Sequence, residues 1–149
     1  DCCGFAAATG YYAGRKAAAA CRDLTLEEPD RTDVDREKER LYAPLFVEDG
    51  MDWRELNKAV SKAMQNYCGG VKNDMLLTQG LELLESYERE YVPALSCQNP
   101  HERMRAHEVT DILEVCRLII HSCLLRKSSS VPLCFERSDY PKTDPEEDR

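Results

Sequence analysis

Apolar side chains recur at spacings of three and four residues along three stretches of the chain, which is the period of an amphipathic α-helix. The first stretch runs from Asp52 to Tyr67. Asp52 and Glu55 form a capping pair at its start, and the run Cys68-Gly69-Gly70 ends it. One face of this predicted helix carries Trp53, Leu56, Val60, Met64 and Tyr67.

Two further helices follow the same rules. Residues 73–91 predict a helix with Asn73 as its N-cap and with Leu77, Leu81, Leu84 and then Tyr87 or Glu88 on its apolar face. Residues 99–127 predict a longer helix that begins with the capping run Asn99-Pro100-His101-Glu102. Its expected core face is Val109, Ile112, Leu113, Cys116, Ile119, Ile120, Cys123 and Leu124. Short loops join the three helices, so we predict an all-α fold built on an antiparallel three-helix bundle.

The N-terminal segment predicts an additional helix of a different kind. Residues 4–22 are rich in alanine, and Gly10 and Gly14 lie four residues apart and share a face. This composition is typical of a helix packed in a core. A helix start near Ala7 that offers free N–H groups to an anion or a carbonyl oxygen is the alternative.

A charged stretch and an irregular tail complete the chain. Eleven of the fourteen residues from Glu27 to Arg40 are charged, so we interpret residues 24–51 as a surface connector with a short solvated helix at 33–41. Residues 131–149 contain three prolines and predict an irregular C-terminal tail, with 133–135 as the one candidate strand. Within the tail, Arg137 is expected to pair with a carboxylate while Phe135 and Tyr140 dock.

Composition and charge exclude several classes of protein. The 149 residues provide for one domain core, and 42% apolar with 32% charged residues is typical of a globular protein. The net charge of −8 disfavours nucleic-acid binding. No apolar stretch approaches the roughly 20 residues of a transmembrane helix, so no membrane insertion is expected, and we predict a cytoplasmic location. Because the chain begins with Asp1 in mid-pattern, we expect it to be a piece of a longer protein.

No self-contained active site is recognisable. The eight cysteines include no C-x-x-C pair, and the three histidines, His101, His107 and His121, form no metal-binding pair. We therefore predict no catalytic residues and no metal ligands, with reduced, partly buried thiols.

Several runs resemble the C-terminal part of the FAD-dependent succinate dehydrogenase/fumarate reductase flavoprotein family, and most closely the adenylylsulfate reductase alpha subunit. They are Gly14-Arg15-Lys16-Ala17, then Asn66-Tyr67-Cys68-Gly69-Gly70-Val71 with Leu76-Leu77 and Gly80-Leu81, and Arg137-Ser138-Asp139-Tyr140-Pro141. The adenylylsulfate reductase pattern adds His101-Glu102, Arg105, Glu108, Arg117-Leu118, Ser129, Pro132 and Phe135.

The resemblance implies a role for each part of the chain. Residues 1–23 would be the last helix of a truncated FAD-binding domain, 24–51 the connector, and 52–149 the C-terminal helical domain with its tail. Ala8, Thr9 and Gly10 would lie nearest the flavin of the intact enzyme, at a helix N-terminus that stabilises negative charge on the reduced ring.

The resemblance also implies partners. The upstream FAD-binding domain and an iron–sulfur subunit would bind the bundle, while the isolated chain would hold no tightly bound FAD and have no turnover. The substrate, adenylylsulfate or a dicarboxylate, stays open. Two other functions stay open as well: an independent helical protein-interaction module, and a redox-sensing or metal-binding protein that uses the cysteines. A homodimer through the exposed Gly/Ala helix is also expected.

Overall fold

The computed structural model describes residues 2–25 and 27–143. Their backbone forms two compact units, Asp1–Arg36 and Glu37–Arg149. The elements in chain order are α1 (Cys2–Ala20), α2 (Arg31–Tyr42), α3 (Trp53–Tyr67), β1 (Val71–Lys72), α4 (Asp74–Glu90), α5 (Pro100–Leu125) and β2 (Glu136–Arg137), with single 3₁₀ turns at Cys21–Asp23 and Ala43–Leu45. The predicted all-α architecture is confirmed.

The first unit contains α1, a helix of 19 residues. It begins at Cys2, before the predicted start at residue 4, and the alternative start near Ala7 was wrong. All side chains described between positions 3 and 22 are exposed. A Cβ atom added at Gly10 or Gly14 would meet no other atom within 4 Å. Among the residues that the structure describes, none therefore fills the space beside the smooth Gly/Ala surface of α1 in its own unit.

Three N-caps define the bundle of α3, α4 and α5, and each is the residue that the sequence predicts. The side chain of Asp52 accepts a hydrogen bond from the N–H of Arg54 at 2.7 Å. Asn73 accepts one from Leu76 at 2.8 Å, and Asn99 accepts one from Glu102 at 3.0 Å. Side chains thus satisfy N–H groups that a helix start leaves without partners.

The buried face of α5 is narrower than expected. Its buried residues are Ala106, Val109, Leu113, Cys116, Ile120 and Cys123, which alternate spacings of three and four. This is the 3.5-residue period of a helix packed along a single seam. Ile112 and Ile119, which were expected in the core, lie beside that seam and are 43% and 44% exposed, so this expectation was wrong.

Small residues bring the helices close together. Ala63 on α3 and Gly80 on α4 are buried beside the large core residues Leu56, Leu77 and Leu84. A Cβ atom at Gly80 would lie 2.6 Å from Cβ of Tyr67, which real Cβ atoms do not tolerate without movement. Glycine at position 80 therefore permits the observed approach of α4 to the end of α3.

The charged stretch is exposed only along part of its length. Helix α2 buries none of its side chains, as expected of a solvated helix. The segment after it is tied to the loop that follows α4. Ala94 accepts a hydrogen bond from the N–H of Met51 at 2.7 Å, and Pro44 accepts one from Cys97 at 2.8 Å. The end of the predicted connector is thus part of the second unit, and the domain boundaries stay a prediction.

The tail pairs with the loop between α3 and α4. Strands β1 and β2 are parallel, with Val71 opposite Glu136 and Lys72 opposite Arg137. The candidate strand at 133–135 is displaced, because residues 131–134 form a turn in which Cys134 has φ 51°. The tail is otherwise irregular as far as residue 143. No helix in residues 2–25 and 27–143 is long and apolar enough to cross a membrane.

Candidate functional site

The Arg137 side chain is completely buried at the end of the bundle where α4 begins and α5 ends. Its Nη2 donates to Oδ1 of Asp74 at 2.6 Å, and its Nε donates to Oδ1 of Asp139 at 2.9 Å. Its Nη1 donates to the carbonyl oxygens of Cys123 and Arg126 at the end of α5. We call these five residues the Arg137 cluster. The predicted pairing of Arg137 with a carboxylate is confirmed.

The charges of the Arg137 cluster match the ends of the helices. Asp74 lies in the first turn of α4, where a negative charge is favourable, and the guanidinium meets carbonyl oxygens at the end of α5, where a positive charge is favourable. The N–H of Asp74 donates to Oδ2 of Asp139 at 2.7 Å. The hydrogen bond from Arg137 holds the pKa of Asp139 well below its usual range and raises the pKa of Arg137.

The tail is fixed around the Arg137 cluster by further contacts. Ser129 Oγ accepts from the N–H of Arg137 and donates to the carbonyl of Tyr140, both at 2.9 Å. The guanidinium also lies over the Tyr140 ring, 4.9 Å from its centroid, and Phe135 packs against the core. A guanidinium has five N–H donors, and the Asp74, Asp139, Cys123 and Arg126 oxygens use all of them. The Arg137 cluster therefore holds the fold together and leaves no guanidinium donor for a ligand.

The residues expected near a flavin, Ala8, Thr9 and Gly10, lie inside α1 and are exposed. Because α1 begins at Cys2, the backbone N–H groups of these residues fall where they bond carbonyl oxygens of the preceding turn. The Thr9 hydroxyl donates to the carbonyl of Phe5 at 2.8 Å. Three consecutive helical residues also span about 200° of the helix surface. The prediction that the backbone N–H groups of these residues donate from a helix start was therefore wrong. Contact of the three residues with a flavin stays a prediction.

Histidines and cysteines form no metal site in the part of the chain that the structure describes, where no cluster of three or more candidate ligands occurs. His101 and His121 are exposed, and His107 Nε2 lies 2.8 Å from the carbonyl oxygen of Leu41. Two thiols do meet, since Cys68 Sγ lies 3.9 Å from Cys123 Sγ.

The role of Asp74 and the pairing of Cys68 with Cys123 were not predicted from the sequence. A signal for both was present, because the first and third helices of an up-down-up bundle end where the second begins. That topology places Cys68, Asp74 and Cys123 at one end of the bundle. It does not specify which side chains touch.

The comparisons with known proteins agree with this architecture. Residues 57–148 match the family described as fumarate reductase flavoprotein C-term, which is more than half of the chain. The chain belongs to this family. The resemblance that the sequence motifs indicate is thereby confirmed. The match includes the Arg137 cluster and the bundle from residue 57 onwards, so these lie within the family's C-terminal helical domain.

Solved structures show the same fold. Adenylylsulfate reductase from Archaeoglobus fulgidus superposes with a TM-score of 0.79 at 24% identity, covering 89% of this chain and 24% of that one. An adenosine-5-phosphosulfate reductase in complex with sulfite gives 0.75 at 24% identity, with coverages of 82% and 22%. The Sdh1 complex of Mycobacterium smegmatis gives 0.74 at 18% identity, with coverages of 88% and 23%. The chain thus spans about a quarter of their length. No curated protein sequence matches it significantly.

Proposed function

We propose that the chain is the C-terminal part of an FAD-dependent oxidoreductase alpha subunit, of the adenylylsulfate reductase or fumarate reductase type. The family match over residues 57–148 carries this proposal. Residues 1–23 are the last helix of the FAD-binding domain, 24–51 the connector and 52–149 the helical domain. The bundle supports the flavin domain and helps to dock an iron–sulfur subunit in a cytoplasmic enzyme. FAD supplies the transfer of electrons to the substrate.

The surface of α1 suits close approach to the rest of the FAD-binding domain and its cofactor. Ala8 and Gly10 have no side chain beyond Cβ, and every described side chain of the helix between positions 3 and 22 is exposed. A flat ring can therefore approach its backbone closely. The Thr9 hydroxyl, whose proton is donated to Phe5, retains lone pairs that accept a hydrogen bond. In this proposal Ala8, Thr9 and Gly10 contact FAD through packing and the Thr9 oxygen, without backbone donation.

A first experiment tests whether the chain acts alone. The purified chain is mixed with FAD and assayed for reduction of adenylylsulfate and of fumarate. We expect no turnover and no flavin retained after gel filtration. Turnover by the homogeneous chain would contradict the proposal, and so would a parent gene without a G-x-G-x-x-G fingerprint upstream.

A second experiment tests α1 in the intact flavoprotein. Gly10→Leu places a bulky side chain on the face that Gly10 shares with Gly14, and we expect it to lower the FAD bound per chain at least tenfold. Ala19 lies on the opposite face, nine residues later, so Ala19→Leu is the matched control and should retain FAD. Equal FAD content in both variants would show that the Gly10 face does not contact the cofactor domain.

An independent interaction module is the second candidate. Ile112, Val115 and Ile119 are between 43% and 53% exposed and follow one another at helical spacing on α5. An apolar strip of this kind is typical of a protein-binding face. Glutamate at all three positions would abolish binding of a partner to this strip. The FAD content of the intact parent protein distinguishes the two functions, because the flavoprotein function requires bound FAD and the interaction module does not.

A further inference from the structure

Two cysteines from distant parts of the sequence lie side by side at the end of the bundle. Cys68 is the C-cap of α3, Cys123 belongs to the last turn of α5, and their Sγ atoms are 3.9 Å apart. A disulfide has a sulfur–sulfur distance of about 2.05 Å, so the two atoms need to approach by roughly 2 Å. No cysteine besides these two has a sulfur contact of this kind in the described residues.

The backbone beside Cys68 permits this movement. Gly69 and Gly70 follow Cys68 directly, and both lie in an irregular bend rather than in a helix. A Cβ atom added at Gly70 would meet nothing within 4 Å, whereas one at Gly69 would lie 3.0 Å from the carbonyl oxygen of Gln65, so the open space lies at Gly70. Cys123 is held more firmly, because it lies within α5 and its carbonyl oxygen accepts a hydrogen bond from Arg137. Formation of a disulfide therefore requires movement mainly of Cys68.

The surroundings divide the two thiols into a nucleophile and a partner. The hydrogen bond between the two thiols, helped by the positive charges of Lys72 and Arg137, lowers the pKa of Cys123 to about 7 although burial opposes it. The same hydrogen bond, together with burial, raises the pKa of the Cys68 thiol. Cys123 is thus the thiol with more thiolate character at neutral pH, and the thiolate is the reactive form.

We propose that Cys68 and Cys123 form a reversible intramolecular disulfide when hydrogen peroxide oxidises this end of the bundle. The Cys123 thiolate attacks one peroxide oxygen, the O–O bond breaks, and hydroxide leaves and is protonated to water. The Cys68 sulfur then attacks the sulfur of the Cys123 sulfenic acid. Hydroxide leaves with the Cys68 proton as a second water. The two thiols lose two electrons and the peroxide gains them.

The disulfide would link elements that meet at the Arg137 cluster. It would join the end of α3, and with it the loop to β1, to the last turn of α5. Arg137 binds the carbonyl oxygen of Cys123. The backbone N–H of Ser138 donates to the carbonyl oxygen of Lys72 at 2.9 Å. Oxidation therefore fixes the helix ends on which the tail rests, and we expect slower amide hydrogen exchange in residues 128–140.

The experiment treats the full chain with a small excess of hydrogen peroxide and blocks the remaining thiols with an alkylating reagent. Peptide mapping without reductant then identifies the disulfides. We expect Cys68–Cys123 to be the main intramolecular disulfide, to disappear on treatment with dithiothreitol, and to raise the melting temperature by roughly 5 °C or more. In concentrated guanidinium chloride, where the pair is separated, the preference for this disulfide should be lost.

Two variants sharpen the result. Cys116 is also buried on the inner face of α5, and burial raises the pKa of its thiol, so Cys116→Ser is the matched control and should still form the disulfide. Cys68→Ala should lack the disulfide and the stabilisation on oxidation. Peptide mapping of the oxidised chain without substitutions tests the proposal even if a variant does not fold. Disulfides elsewhere, a Cys123 sulfinic acid beside a free Cys68, or no oxidation of either thiol would each overturn the proposal.

Discussion

Arg137 and Asp74 are 63 residues apart in sequence, and the Arg137 Nη2 lies 2.6 Å from Asp74 Oδ1. Arg137 belongs to the tail, while Asp74 starts α4. The ion pair therefore attaches an irregular segment to the bundle at a point where both helix dipoles favour it. The guanidinium is completely buried, whereas the Asp74 side chain is 47% exposed. Without its partners the buried guanidinium would be left unpaired, whereas water can reach the Asp74 carboxylate.

Replacing Arg137 should detach the tail. Arg137→Ala removes the donors to Asp74, Asp139 and the end of α5, and leaves a cavity. We expect it to lower the free energy of unfolding by roughly 2–4 kcal/mol. Arg137→Lys retains the charge but not the forked geometry, and should recover less than half of the loss. Urea unfolding of the three proteins measures both effects.

The control for this prediction is Arg105→Ala. Arg105 pairs with Glu108 at 2.6 Å, and its side chain is 42% exposed. An exposed pair of this kind contributes about 0–1 kcal/mol. Equal losses from Arg105→Ala and Arg137→Ala would contradict a special role for the buried guanidinium.

The Arg137 cluster should make stability depend on acidic pH. Arg137 holds the pKa of Asp139 below its unfolded value of about 3.9. A lowered pKa in the folded state contributes stability that is fully present above the unfolded pKa and is lost as the pH falls below it. We therefore expect the urea midpoint to drop below about pH 4. Asp139→Asn should lower stability at neutral pH and flatten this drop.

The comparison is with an exposed carboxylate outside the Arg137 cluster. Glu39→Gln on α2 removes one such charge and should retain the acid-dependent drop of the natural chain. The midpoint of urea unfolding, measured between pH 2 and pH 7 for the natural chain and the two variants, tests this prediction. A drop of the same size in Asp139→Asn as in the natural chain would rule out Asp139 as its source.

Gly80→Ala tests the close packing of α3 and α4. Alanine normally stabilises a helix by up to about 1 kcal/mol relative to glycine. Here its Cβ would lie 2.6 Å from Tyr67 Cβ and 3.4 Å from Ile120 Cδ1. We expect a net destabilisation of roughly 1–3 kcal/mol, measured as a lower melting temperature. Gly14→Ala in α1 has open space and should not lower it. A rise with Gly80→Ala would show that the helices separate without cost.

Helix α1 should drive self-association of the isolated chain. Phe5 and Tyr12 lie seven residues apart on one face and are 74% and 65% exposed. We expect sedimentation to show a mass that rises with concentration, and Phe5→Glu with Tyr12→Glu to weaken association at least tenfold. Leu118 and Leu125 have the same spacing on α5 and are 58% and 81% exposed, so glutamate at both is the matched control. If only this control gave a monomer, α5 would be the interface.

Local signals in the sequence were sufficient to predict the helices of the bundle. Asp52, Asn73 and Asn99 cap helices where predicted, because a cap depends only on the three residues that follow it. The pattern was less reliable for burial. Ile112 and Ile119 satisfy helical periodicity and are still exposed, since the width of the buried face depends on how closely α3 and α4 approach. Gly80, where an added Cβ would lie 2.6 Å from Tyr67 Cβ, permits that approach, and no hydrophobic pattern identifies it.

The sequence was sufficient to predict the helices of the bundle, their caps, the family and the pairing of a tail arginine with a carboxylate. All of these depend on neighbours in the chain or on a motif. The packing of the helices and the tail determines that the carboxylates are Asp74 and Asp139 and that Cys68 meets Cys123. Contacts between residues 55 or 63 positions apart depend on the register of packed helices, which periodicity leaves undetermined.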